Sequence, residues 1–210
     1  TPGGHPYLAT RPAAYSVLDS IRAVQAGDMP VSDAVVLVGQ SQGGGAAFAT
    51  AGIADSYAPE LDIRGTVATG TPYFTADTAP AARDPAAVEG VFAYTLYILH
   101  LIDQADPAFD PDAILTPAAK PVFELTRTAC LGQVWQGVLD AKLSQASAFT
   151  VDPTPIAAPH YGRMAYDTLK VKGPVFLGTG GQDRDVPPEG QTRLFEDACK
   201  AGSVVRRVLY

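Results

Sequence analysis

At 210 residues the chain is long enough for one domain with a full hydrophobic core. A hydrophobic fraction of 47% with only 18% charged residues excludes a disordered chain. A net charge of −7 and a pI near 4.8 argue against nucleic-acid binding, because an acidic surface repels phosphates.

Residues 1–12 read as an extended, proline-rich loop without the apolar stretch of a signal peptide. A helix is predicted over 13–25, with Val17, Leu18, Ile21 and Val24 on one face. The aliphatic run at 34–38 reads as a buried strand, and a Gly- and Ala-rich helix follows at about 42–57. Residues 63–69 read as the next strand, and this helix–strand alternation is the rhythm of a parallel α/β sheet. The rhythm stops near residue 73. Val88, Val91, Phe92, Leu96, Leu99 and Ile102 mark one helix, and 122–143 holds one or two more, including Trp135. A strand resumes at 174–178, a helix follows at about 190–201, and a last apolar run closes the chain at 204–210. The expected organisation is a sheet domain from 1–72 and 173–210, interrupted by a helical cap at 73–172. The longest apolar run, 91–102, is too short to span a bilayer. Cys130 and Cys199 form either one disulfide or two buried thiols, and their separation rules out a metal knuckle. No metal cluster is visible, and no cofactor is expected.

Gly39-Gln40-Ser41-Gln42-Gly43 joins the strand at 34–38 to the helix after it. A G-x-S-x-G between a strand and a helix is the pattern of a nucleophile elbow, in which one Ser is held exposed on a strained turn. In a chain of this length the motif arises by chance roughly 0.07 times. A phosphate-binding loop is the competing expectation, but no G-K-[ST] follows and no G-x-G-x-x-G is present. Gly39 and Gly43 are expected to leave room for the turn. Ser41 is the expected nucleophile, and the Gln42 N–H an expected oxyanion donor.

Acyl transfer by Ser needs a base and a carboxylate to orient it, and open α/β sheets place functional groups in loops just past the C-terminal ends of their strands. Asp183 and Asp185 both lie in the loop after 174–178. In α/β-hydrolases the order is Ser, acid, His, yet His5, His100 and His160 all precede the acid. The chain is therefore expected to be an internal piece of a longer protein, lacking earlier strands and a later His. His160 is the internal alternative. His100 reads as a core or pocket residue and His5 as a loop residue.

These stretches resemble the secretory lipase family, the lipase A-like α/β-hydrolases. The resemblance rests on Gly39-Gln40-Ser41-Gln42-Gly43-Gly44, on residues 56–65 with Tyr57-Ala58-Pro59-Glu60-Leu61, and on Thr69-Gly70-Thr71-Pro72. It continues through Cys130-Leu131-Gly132-Gln133-Val134, Asp183-Arg184-Asp185-Val186-Pro187 and Ala198-Cys199-Lys200-Ala201-Gly202. It implies that Asp183, three residues before the Val of the Val-Pro pair, is the acid rather than Asp185. It also implies a secreted carboxylic ester hydrolase acting on lipids or related esters. A helical cap would help form the acyl pocket and touch a lipid interface transiently. The alternatives are acyl transfer or peptide cleavage on the same residues, and a non-catalytic binding domain.

Overall fold

Aliphatic runs form the strands of one sheet, and stretches with a helical apolar repeat form helices. The computed structural model describes residues 4–75 and 83–210. In chain order the elements are α1 (Thr10–Gln25), β1 (Ala34–Gln40), α2 (Gln42–Tyr57), β2 (Asp62–Thr69), α3 (Phe92–Ala105), α4 (Lys120–Thr128), α5 (Leu131–Asp140), α6 (Gln145–Ala148), α7 (Thr154–Ala157), β3 (Val175–Thr179), α8 (Pro188–Lys200) and β4 (Val205–Leu209). Two helices start away from their expected positions. Helix α1 begins three residues early, because Pro12 sits in the first turn, where no intrahelical N–H is needed. Helix α3 begins only at Phe92, leaving Val88 exposed before it. Gly90 sits against the Trp135 ring so closely that a side chain would overlap it.

The chain divides by contact into two compact units. One holds Leu8–Asp77 and Gly162–Tyr210, and the other Thr1–Tyr7 and Thr78–Tyr161. The first contains a four-stranded parallel sheet in the order β1-β2-β3-β4. Its core brings together Leu18 of α1, Leu37 of β1, Phe48 of α2, Ile63 of β2, Leu177 of β3 and Leu194 of α8. Helices α2 and α8 join neighbouring parallel strands, and right-handed crossovers put both on one face, where α1 shares the same core. The small residues of α2, among them Ala47, Ala51 and Ala54, let its backbone lie close to the sheet.

Strand β1 departs from the expected buried strand. It lies at the sheet edge, and its second face is open, with Val36 59% and Val38 73% exposed. An all-aliphatic run is compatible with burial on both faces, but no described element covers this one. The buried stripe of α1 is also shifted, to Thr10, Ala14 and Leu18. Val17 and Ile21 flank that stripe, and Val24 points away from it. The Tyr57–Leu61 turn is held by α1: Arg22 donates to Glu60 at 2.6 Å and to the Tyr57 carbonyl at 2.8 Å. Residues 162–172 belong to the sheet unit by contact, so the division falls after Tyr161 rather than at 172. There the Tyr166 hydroxyl donates to the Pro72 carbonyl at 2.6 Å, and the Lys172 N–H to the Ala51 carbonyl at 3.0 Å.

The second unit is helical. Leu96 and Leu99 of α3, Phe123 of α4, and Val134 and Val138 of α5 form its core. Cys130 and Cys199 match neither expectation: both are free and both are exposed. Among the described residues, no helix is long and apolar enough to cross a membrane.

Phe48 is fully buried at the centre of the sheet unit, whereas Val24 lies on the open side of α1. Phe48→Ala should cost about 3–5 kcal/mol in urea unfolding. Val24→Ala should change stability by no more than about 0.5 kcal/mol. Similar losses for the two would contradict this assignment of faces.

Candidate active site

The end of β1 turns into α2 at Ser41. Its backbone has φ 55° and ψ −124°, the left-handed side of conformational space for a residue with a side chain. Such a conformation costs of order 1–3 kcal/mol and persists only where its surroundings impose it. Two hydrogen bonds do so. The Ser41 N–H donates to the Thr69 carbonyl at the end of β2 at 2.8 Å. The Ser41 carbonyl accepts the first helical bond of α2, from Gly45 N–H at 3.1 Å. The N–H groups of Gln42, Gly43 and Gly44 therefore precede the first intrahelical bond and point out of the helix N-terminus.

The glycines divide differently from the motif. A side chain on Gly39 would overlap the Gly43 carbonyl and come within 2.7 Å of Gly44 N. One on Gly43 would meet nothing within 4 Å. The second close approach is at Gly44, where a Cβ would lie 2.9 Å from the Thr71 hydroxyl and 3.0 Å from the Thr69 carbonyl. Gly39 and Gly44 are thus the spacers the turn needs. The reason is that the first turn of α2 rests on the end of β2 as well as on β1.

Asp183 lies in the loop after β3. Its Oδ1 accepts from the backbone N–H groups of Asp185 at 3.0 Å and Val186 at 2.9 Å. Its Oδ2 accepts from the amide of Gln191 at 3.3 Å. Gln191 is buried in the first turns of α8, and it also donates to the Val186 carbonyl at 2.7 Å. Gly70, with φ 55°, joins the two halves of the site. A Cβ placed there would be 3.4 Å from Asp183 Oδ2, 3.9 Å from Ser41 N and 3.8 Å from the Gln40 side-chain nitrogen. Ser41 and the Asp183 carboxylate are therefore neighbours across a residue without a side chain. Asp185 is exposed and contributes its N–H to Asp183.

Sequence reasoning missed Gly44, Gly70 and Gln191 as parts of this arrangement. Gly70 was visible only as part of the Thr69–Pro72 stretch, and Gln191 carried no signal. All three histidines fall in the helical unit. His5 is exposed. His100 is fully buried edge-on to Phe123, with Nδ1 3.9 Å from Asp103. His160 Nε2 is 3.8 Å from Asp106.

Gly39→Ala should destabilise the protein by about 3 kcal/mol or more, because backbone rather than a side chain must move. Gly43→Ala should be neutral or slightly stabilising. Thermal unfolding of the two variants checks this, and the reverse ranking would contradict the elbow geometry.

A model of the secretory lipase family matches residues 3–206. No curated protein sequence matches the chain. Among solved structures, lipase A of Candida antarctica is similar with a TM-score of 0.74 at 24% identity, over 98% of this chain and 50% of that one. The rice cell wall degrading esterase LipA of Xanthomonas oryzae is similar with a TM-score of 0.73 at 20% identity, over 98% of this chain and 59% of that one. The chain thus spans between half and three-fifths of the length of these structures. At such identities the likeness establishes the fold, that of an α/β-hydrolase, with a parallel four-stranded sheet and flanking helices. With the family model matched over nearly the whole sequence, the chain belongs to the secretory lipase family.

Proposed function

We propose that this chain carries the nucleophile and the acid of a serine carboxylic ester hydrolase. Family and fold support a hydrolase of the lipase or esterase type. The observation that carries the finer assignment is Gly70, which sets the Asp183 carboxylate beside the strained Ser41 turn. The Ser41 oxygen attacks the ester carbonyl carbon while a base takes its proton. The N–H of Gln42, at the head of α2, donates to the oxygen that becomes negative. The carbon–oxygen bond to the alcohol breaks, the base returns the proton to the departing alcohol, and an acyl group remains on Ser41. Water repeats the sequence, giving the carboxylic acid and free Ser41.

Asp183 orients the base. Two backbone N–H groups and Gln191 hold its carboxylate. The base is assigned to a histidine that follows Asp183 in the chain order nucleophile, acid, histidine; His5, His100 and His160 all precede it. The substrate is an ester or lipid, and the unit containing Thr78–Tyr161 acts as a cap that touches the lipid interface transiently. The site of action is extracellular, in keeping with the family.

In the full-length gene product, Ser41→Ala should lower kcat on p-nitrophenyl esters by on the order of 10³-fold or more, with the melting temperature little changed. Asp183→Asn should lower kcat by a comparable factor while leaving KM near its original value. Equal rates for the wild type and the Ser41 variant would overturn the assignment.

A further inference from the structure

We infer that Gln191 is a positioning residue for the acid: its side-chain amide fixes Asp183 Oδ2 as the oxygen that meets the base. This inference rests on the ester-hydrolase reading and deepens its site. Helix α8 buries Gln191, Leu194 and Ala198, one stripe at helical spacing. The first member of that stripe is an amide where an apolar side chain would serve the core, and it is 3% exposed. A buried amide costs stability unless its polar atoms are hydrogen-bonded. Here the amide nitrogen donates twice, to the Val186 carbonyl at 2.7 Å and to Asp183 Oδ2 at 3.3 Å. Both protons of that nitrogen are therefore committed to the loop that carries the acid.

The two oxygens of Asp183 are not equivalent. Oδ1 accepts from the N–H groups of Asp185 at 3.0 Å and Val186 at 2.9 Å, which occupies both its lone pairs. Among the described residues Oδ2 accepts from Gln191, and one lone pair stays open. Oδ2 is also the oxygen on the elbow side. A Cβ placed on Gly70 would lie 3.4 Å from it and 3.9 Å from Ser41 N. The backbone bonds hold one end of the carboxylate, and the amide sets the tilt of the other. An amide suits this place because it is neutral. It steadies Oδ2 without a charge that would compete with the imidazolium forming beside the acid.

Helix α8 has a second tie to the loops of the sheet unit. The Tyr73 hydroxyl donates to Asp197 Oδ2 at 3.2 Å, and the Tyr73 ring stacks on Tyr166 at 6.0 Å between ring centres. Tyr73→Phe deletes that bond and keeps the Gln191 amide in place. It therefore separates a loosened helix from a misplaced carboxylate.

The test is kcat and KM of the full-length protein on p-nitrophenyl butyrate, read as a ratio to wild type between about pH 9 and about pH 5. The ratio removes the titration of the base, which is common to both proteins. Gln191→Met keeps the length and loses the donor, so kcat should fall about tenfold with KM within about twofold of wild type. Gln191→Glu should lower kcat about a hundredfold at the alkaline end, where an ionised carboxylate faces Oδ2. Its ratio should rise about tenfold toward the acid end, where the protonated side chain donates its O–H to the ionised Oδ2, a stronger acceptor than the Val186 carbonyl. This rise is read within one variant, so it stands even where Gln191→Met does not fold. Tyr73→Phe should keep kcat within about twofold of wild type and give a flat ratio. A flat ratio for Gln191→Glu, or a Gln191→Met variant as active as wild type, would overturn the role of Gln191 and leave the Ser41 assignment standing. A Ser41→Ala variant that hydrolyses esters as fast as wild type would instead remove the function on which that role rests.

Discussion

The site depends on a meeting of backbones with nothing between them. Strand β1 and helix α2 touch at Gly39 and Gly43, and α2 touches the end of β2 through Gly44. Because Gly39 and Gly44 carry no side chain at these contacts, the chain can reverse from strand to helix within one residue. That residue, Ser41, takes the unfavourable conformation. The cost is sustained by the Thr69 carbonyl, which accepts the Ser41 N–H, and by the packing of α2 into the core through its own fully buried Phe48.

The same logic extends to Asp183. Parallel strands in sequential order bring the ends of β1, β2 and β3 to one edge of the sheet. Gly70 ends β2 and accepts close approach from both sides, so the loop after β3 can bring Asp183 to the elbow. The Gly70 N–H donates to the Gly178 carbonyl at 2.9 Å, which ties that approach to the sheet ladder itself. Gln191 then couples the loop to α8. On the proposed function, the scaffold fixes two groups and a helix N-terminus with hydrogen bonds to backbone, the most rigid partners a protein offers.

What could be read without coordinates was whatever is written locally. The elbow, the helix after it and the alternation of strands and helices follow from short runs: Ala34–Val38, Gly39–Gly43 and Ile63–Thr69 carry their own periodicity or steric requirement. What could not be read depends on pairing between distant stretches. Val36 and Val38 look like core in any window, and their exposure depends on which elements lie over that face. Gly43 and Gly44 are indistinguishable in sequence, yet only Gly44 is pressed against β2. Asp183 and Asp185 are two residues apart, and family resemblance rather than local pattern favoured Asp183. In the structure it is Asp183 that borders Gly70. Gln191 and Tyr166 act across loops that no periodicity reports.

The central claim is that Ser41 receives the acyl group. Rapid quenching of the full-length protein during turnover of p-nitrophenyl butyrate, followed by peptide mass spectrometry, measures it directly. One butyryl group per molecule is expected on the peptide containing Ser41, formed in a burst with the first equivalent of p-nitrophenol. Steady ester hydrolysis with no acyl group on that peptide, or with the group on another residue, would contradict it.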